Sequence, residues 1–283
     1  MTIQLKSALI STILLIATFA SSALSAANKE LIFGSVAMDI PAVMHKRLQP
    51  LTVYLSETLK MPVSLRLSPN MGAAINDTAS GKVDLAYLTP VAYLKAHSKG
   101  NAQLIAKTVT NGKASFQLMI VVKEDSPIKT VKDLVGKSFA FGDKKALLQR
   151  AVVNASGIKL EEFSEYKHIG HYDNIARAVF NEDFDAGILK DTMAFKWQNK
   201  GLRILYSSVD FPPYNISASA NVSKELVAKL QKAFLSLDGS NPKHLEIIKS
   251  VDKKYDGFAA TSDAEYNVIR ELISPFSKGV SKK

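Results

Sequence analysis

The chain has 283 residues, 47% of them hydrophobic and 22% charged, with a formal net charge of +10 and no cysteine. This composition suits a globular protein with one large core or two smaller ones, and excludes disordered, collagen-like and disulfide-stapled chains. Zinc ribbons, iron–sulfur clusters and thiol chemistry are excluded with the missing cysteines.

The N-terminus is read first. Lys6 precedes an apolar run from Ala8 to Ala20, and Ser25-Ala26-Ala27 supplies the small residues that a signal peptidase reads. Residues 1–27 are therefore expected to be a cleavable export leader. The run falls short of the roughly 20 apolar residues of a spanning helix and ends without a basic stop. No cysteine stands at the cleavage point, which excludes a lipid anchor. Losing Lys6 leaves the mature chain strongly basic, but its lysines (Lys123, Lys129, Lys132, Lys137, Lys144, Lys145) are scattered rather than gathered in one arm. That pattern describes a solvated surface, and no nucleic-acid partner is expected.

Leu31–Val36 is an apolar run closed by small residues and reads as a buried strand. Pro41–Leu59 carries apolar residues at helical spacing, and Val63–Leu67 alternates as a strand does. Met71–Ser80 reads as a helix closed by Gly81, and Val83–Leu88 as a strand running into Thr89-Pro90, a helix start. Strands are expected at Gln103–Val109 and Phe116–Val122. A second series follows: a short helix at Thr130–Leu134, the strand Phe139–Phe141, and a helix from Lys144 to Ala155. Next come the strand Glu165–Ile169, a helix Asp173–Phe180, the strand Ala186–Leu189, a helix Thr192–Asn199 and the strand Arg203–Tyr206. The remainder reads as helical: Ser223–Leu237, Pro242–Val251, and a last helix from Ser262, where Ser262 and Glu265 form a capping box. The alternation predicts an α/β architecture with largely parallel sheets. Two successive series fit two lobes, with crossovers near Gln117–Val121 and Ser207–Asn215; Phe211-Pro212-Pro213-Tyr214 makes the second connector stiff.

Catalytic motifs are missing. Gly136-Lys137-Ser138 resembles the end of a phosphate-binding loop, but Val131 stands where that loop needs glycine. There is no nucleophile elbow, no HExxH and no GxGxxG. His168 and His171 straddle Gly170 at a strand-to-helix turn, a poor frame for a metal. No enzyme activity, cofactor or metal is expected.

Several stretches, in order along the mature chain, resemble the phosphate/phosphite/phosphonate-binding proteins of ABC importers. They are Leu48-Gln49-Pro50-Leu51 with Tyr54-Leu55, Gly81–Pro90 with Tyr93, Ser126–Lys129, Asp133–Asp143, Gly170-His171 with Asp173, Asp185-Ala186, and Gly257-Phe258 with Asp263, Tyr266 and Arg270. The resemblance implies a type II periplasmic binding protein with two lobes, each a mainly parallel sheet flanked by helices, and two hinge crossovers. It implies lobe 1 at 28–118, lobe 2 at 119–210, and a return to lobe 1 with the C-terminal helices at 211–283.

It also implies a monomer in the periplasm that binds a small anionic ligand between the lobes and meets an inner-membrane permease. Alternatives are an accessory of a membrane sensor kinase and an exported hydrolase. By resemblance, Thr89 and Tyr93 are cleft contacts, with a plain helix cap as the other reading of Thr89. His171 opens a helix toward the ligand or serves as a local cap, and Asp191 accepts from the ligand or caps the next helix. Met38 and Asp39 line the cleft after the first strand. At one place the resemblance lapses: Gly142-Asp143 runs into Lys144-Lys145 instead of a hydroxyl-rich anion cradle. Lys144 is then a candidate for supplying charge, with Tyr172 and Tyr214 as aromatic walls, and the ligand is expected to be less phosphate-like.

Overall fold

The computed structural model describes residues 30–36, 40–144 and 146–277. The expected leader, Met38, Asp39 and Lys145 lie outside the described residues. Lobe 1 opens with β1 (Leu31–Val36), α1 (Pro41–Leu59), β2 (Val63–Ser68), α2 (Met71–Ala79), β3 (Leu85–Leu88), α3 (Pro90–Gly100) and β4 (Gln103–Thr110). Lobe 2 comprises β5 (Leu118–Lys123), β6 (Ser138–Phe141), α4 (Leu147–Ala155), β7 (Glu165–His168), α5 (Tyr172–Phe180), β8 (Ala186–Lys190), α6 (Asp191–Gln198) and β9 (Leu202–Ser207). The chain returns to lobe 1 with β10 (Asn215–Ala218), α7 (Lys224–Leu235), α8 (Pro242–Val251) and β11 (Tyr255–Ala259), then ends on α9 (Asn267–Ser277). Among the described residues no helix is long and apolar enough to cross a membrane.

The lobe 1 sheet has the order β11-β4-β10-β3-β1-β2 and the lobe 2 sheet the order β7-β6-β8-β5-β9. Both are mixed rather than mainly parallel. β1 pairs in parallel with β2 and β3, and β6 with β7 and β8. β10 runs antiparallel between β3 and β4, and β5 antiparallel between β8 and β9. The reason is the route of the chain. A strand arriving from the other lobe starts at the connector end of its sheet and runs away from it, whereas its neighbours run toward that end.

The connectors themselves are residues 111–117 and 208–214. The first lies earlier than expected, because Leu118 already begins β5. β10, between the expected second crossover and the helix from Ser223, and β11, between two expected helices, fall where no strand was expected. β10 is the short, fully buried Asn-Ile-Ser-Ala, in which the hydroxyl of Ser217 donates to Asn215 at 2.7 Å, and it has no β-branched run to announce it. The helix expected from Lys144 begins at Leu147, and just before it Ala146 N–H donates to the Asp143 carbonyl at 2.8 Å.

Two features set the lobes' working ends. Gly187 in β8 admits α5 at close range: a Cβ there would lie 2.5 Å from a methyl of Ile175. This seats the middle of α5 directly on the first half of β8. α9, although it follows the return to lobe 1, packs on α4 of lobe 2 and buries Ile269 and Ile273 in the shared apolar cluster.

Candidate functional site

Ligands of open α/β sheets lie outside the carboxyl ends of the strands. In both lobes those ends face the connectors: Leu88 at the end of β3 pairs with Asn215 at the start of β10, and Lys190 at the end of β8 with Leu118 at the start of β5. There Phe116 and Phe211 exchange main-chain hydrogen bonds at 2.9 and 2.8 Å, pairing the two connectors.

On the lobe 2 side, Asp191 follows β8 directly. Its carboxylate accepts from the N–H groups of Gln117 (3.0 Å) and Thr192 (2.6 Å), and its own N–H donates to the Gln117 carbonyl at 2.9 Å. Asp191 thus fastens the first connector to the head of α6. Gln117 extends the clamp by donating its side-chain amide to the Ser208 carbonyl at 2.6 Å, in the second connector. Beside Asp191, the half-buried Lys190 sets its ammonium 5.0 Å from the centroid of the Phe116 ring. Burial pulls this lysine below its ordinary pKa.

The turn after β6 is filled from within. Gln149 on α4 is 5% exposed; its side-chain oxygen accepts from Gly142 N–H at 2.8 Å and its side-chain nitrogen donates to the Tyr172 hydroxyl at 3.3 Å. With its oxygen engaged in this way, the Tyr172 hydroxyl keeps its own proton free to donate. Burial pushes the Tyr172 pKa up to about 12, so it is a neutral donor at any physiological pH.

Lobe 1 answers with an aromatic wall. Tyr214 stacks on Tyr87 with ring centroids 5.1 Å apart, and the Tyr87 hydroxyl is hydrogen-bonded to that of Tyr255. The carbonyl of Tyr214 accepts from both the N–H (2.9 Å) and the hydroxyl (3.2 Å) of Thr108, which fixes the ring at the end of β4. Burial raises the pKa of all three phenols. Asp252 and Lys254, just before β11, lie within electrostatic reach of Lys190 across the gap, and Tyr172 of lobe 2 is within reach of Tyr214 and Asp191.

Of the residues singled out in the sequence, Tyr172, Asp191 and Tyr214 therefore meet at the hinge. Thr89 caps α3, its hydroxyl accepting from Ala92 N–H at 3.1 Å. His171 is exposed at the head of α5, with no side-chain cap bond, and Lys144 is exposed in the turn after β6. Tyr93 does other work. It is 1% exposed, packs edge-on against Tyr266 and donates its hydroxyl to Asp263 at 2.7 Å, holding α3 to the C-terminal segment.

Sequence reasoning missed Lys190, Gln149, Tyr87, Tyr255 and Asp252. Only Lys190 carries a readable signal, as the first charged residue at the exit of the apolar strand Ala186–Leu189. Among the described residues no cluster of three or more His, Asp or Glu could hold a metal. A separate depression on lobe 2, between Lys123, Glu182 and Asp185, lies away from the hinge; there Lys123 pairs with Glu182, and Asp185 accepts from the N–H of Ser138.

Residues 33–266 match the family described as ABC transporter, phosphonate, periplasmic substrate-binding protein. The phosphonates-binding periplasmic protein of Escherichia coli (strain K12) is 24% identical over 261 residues, covering 87% of this chain and 76% of that one. Among solved structures, XAC2383 from Xanthomonas citri bound to ATP superposes with a TM-score of 0.73 at 18% identity, covering 88% of this chain and 97% of that chain. PhnD1 from Prochlorococcus marinus in complex with methylphosphonate has a TM-score of 0.69 at 20% identity, covering 89% and 99%. The two structural likenesses show a shared fold, and the family match runs through both lobes and the hinge between them. The chain belongs to the family of periplasmic substrate-binding proteins of phosphonate ABC transporters.

Proposed function

We propose that this protein captures a small oxyanion of the phosphonate type between its lobes, leaves it chemically unaltered, and delivers it to an inner-membrane permease. In this reading residues 1–27 direct export, residues 28–118 and 211–283 form lobe 1 with the C-terminal helices, residues 119–210 form lobe 2, and the protein acts as a monomer. The observation that carries the reading is the meeting of polar groups from both sides of a paired hinge: Tyr172 of lobe 2 comes within reach of Tyr214, and Lys190 of lobe 2 within reach of Asp252 and Lys254 of lobe 1.

The grip differs from a cradle of backbone amides. Gly142 N–H is taken by Gln149, so an anion on lobe 2 relies on the Tyr172 phenol and on side-chain charge. Closing the lobes replaces the ligand's hydration with these oriented donors, and a ligand that fails to match leaves buried groups unpaired. His171 and Thr89 sit at the heads of α5 and α3 and complete the rim.

The test is a thermal-shift and calorimetric screen of the mature protein against methylphosphonate, 2-aminoethylphosphonate, phosphate, phosphite and ethanesulfonate. At a hundredfold excess over Kd, a true ligand raises the melting temperature by about 5 °C or more. A flat response to every oxyanion overturns the reading.

A further inference from the structure

Lys190 is half-buried at the exit of β8, yet its ammonium takes part in none of the ion pairs or side-chain hydrogen bonds among the described residues. Its ammonium lies over the face of Phe116, 5.0 Å from the ring centroid. A cation removed from water without an acceptor is costly, and a ring face makes good only part of the loss. The neighbouring carboxylates already serve other donors, Asp191 with both oxygens and Asp252 with one. Asp191 holds the N–H groups of Gln117 and Thr192, and one oxygen of Asp252 accepts from Lys254 N–H at 2.9 Å.

The surroundings say what is missing. Lys190 lies against the paired hinge, over the Phe116 ring, and within electrostatic reach of the loop of lobe 1 that carries Asp252 and Lys254. An ammonium whose protons no described side chain accepts is a donor lacking its acceptor. We propose that Lys190 is the cationic contact of the bound oxyanion, whose negative oxygen fills the acceptor place that no described side chain takes. This rests on the proposed capture of an oxyanion and adds the residue that meets its charge. It predicts selection for ligands with a full negative charge at the hinge end of the gap, since a neutral group there leaves the ammonium unpaired.

The competing role for Lys190 is an ion pair with Asp252 that forms as the lobes close. Calorimetry of the mature protein with methylphosphonate, inorganic phosphate and ethanesulfonate separates the two. For whichever of the three binds most tightly, Lys190→Met should lose about tenfold to a hundredfold in affinity, the scale of a charge-assisted hydrogen bond, while Lys190→Arg keeps most of it. The ligand-free Lys190→Met protein should melt no lower than the parent, because the substitution removes an unpaired charge. Unchanged affinity in Lys190→Met overturns the proposal. So does an equal loss in Lys190→Met and Asp252→Asn with no further loss in the double variant, which identifies a lobe-closing pair. If none of the three probes binds the parent protein, the capture reading itself fails, and this inference with it.

Discussion

Phe116 and Phe211 exchange both of their main-chain hydrogen bonds, and their rings lie 5.7 Å apart, so the connectors between the lobes act as one ribbon. A ribbon bends more readily than it splays, which limits the lobes to a hinge motion about this pair. Phe211 is 1% exposed and is followed by Pro212-Pro213, which stiffens the second connector. Phe211→Ala removes the ring and leaves a cavity at the point where both lobes meet. Urea unfolding should show a loss of about 3 kcal/mol or more, the usual scale for a buried aromatic truncated to alanine. A loss under about 1 kcal/mol would mean that the ring contact contributes little and the backbone pairing suffices.

Gln149 ties together the Gly142 turn and the Tyr172 hydroxyl, and its two bonds can be separated chemically. Gln149→Ala strands a buried N–H and should cost about 2 kcal/mol of stability. Gln149→Glu keeps the acceptor for Gly142 but has no proton to give, so the Tyr172 hydroxyl turns to donate to the new carboxylate. Its proton is then withdrawn from the ligand and a negative charge is added nearby. Stability should stay within about 1 kcal/mol while oxyanion affinity falls about tenfold or more, read by calorimetry. Undiminished affinity would remove Tyr172 from the ligand's donors.

Tyr93 offers the opposite contrast. Its hydroxyl donates to Asp263, which also accepts from Arg270 at 2.6 Å. Burial works to raise the Asp263 pKa, but the bonds from Tyr93 and Arg270 outweigh it and hold this carboxyl below its ordinary value. Tyr93→Phe keeps the ring packing and deletes one bond, so stability should drop by about 1 kcal/mol with oxyanion affinity unchanged. A fall in affinity without a fall in stability would return Tyr93 to the ligand site.

The frame was legible wherever local pattern and burial agree. The apolar run Leu31–Val36, the spacing through Pro41–Leu59 and the Thr89-Pro90 helix start all form the elements their sequence implies. β10 and β11 were not, because Asn-Ile-Ser-Ala and Tyr-Asp-Gly-Phe-Ala have no strand signature of their own and are held by their neighbours on both sides or by β4. The same limit governs the site. Asp191 announces itself as an acid after a strand, but its use as a fastener for Gln117 depends on a connector 74 residues earlier. Gln149 looked like any polar residue of an amphipathic helix, and only the packed turn shows it occupying the amide of Gly142. Lys190 is one of 36 basic residues, distinguished by the burial that the surrounding fold imposes.

The tyrosines give the protein a defined alkaline limit. Six of the nine, Tyr87, Tyr93, Tyr172, Tyr214, Tyr255 and Tyr266, ionise less readily in the folded chain than in the unfolded one, chiefly through burial. A group whose folded pKa lies above its unfolded value stabilises fully below the unfolded pKa, here 10.0, and that contribution disappears as pH climbs through the folded value, about 12 for Tyr172. Lys190 works in the reverse sense: burial lowers its pKa, so its charge opposes folding until it discharges, a single group against six phenols. At the acid end Asp263, with its lowered pKa, gives stability that is lost as pH falls below the ordinary carboxyl range. Stability should therefore be level through the neutral range and fall steadily above pH 10. Tyrosinate absorbance followed together with circular dichroism is the check. The six should ionise as the fold is lost, and all nine ionising in one transition near 10.0 while the dichroism stays native would show that the phenols are open to solvent.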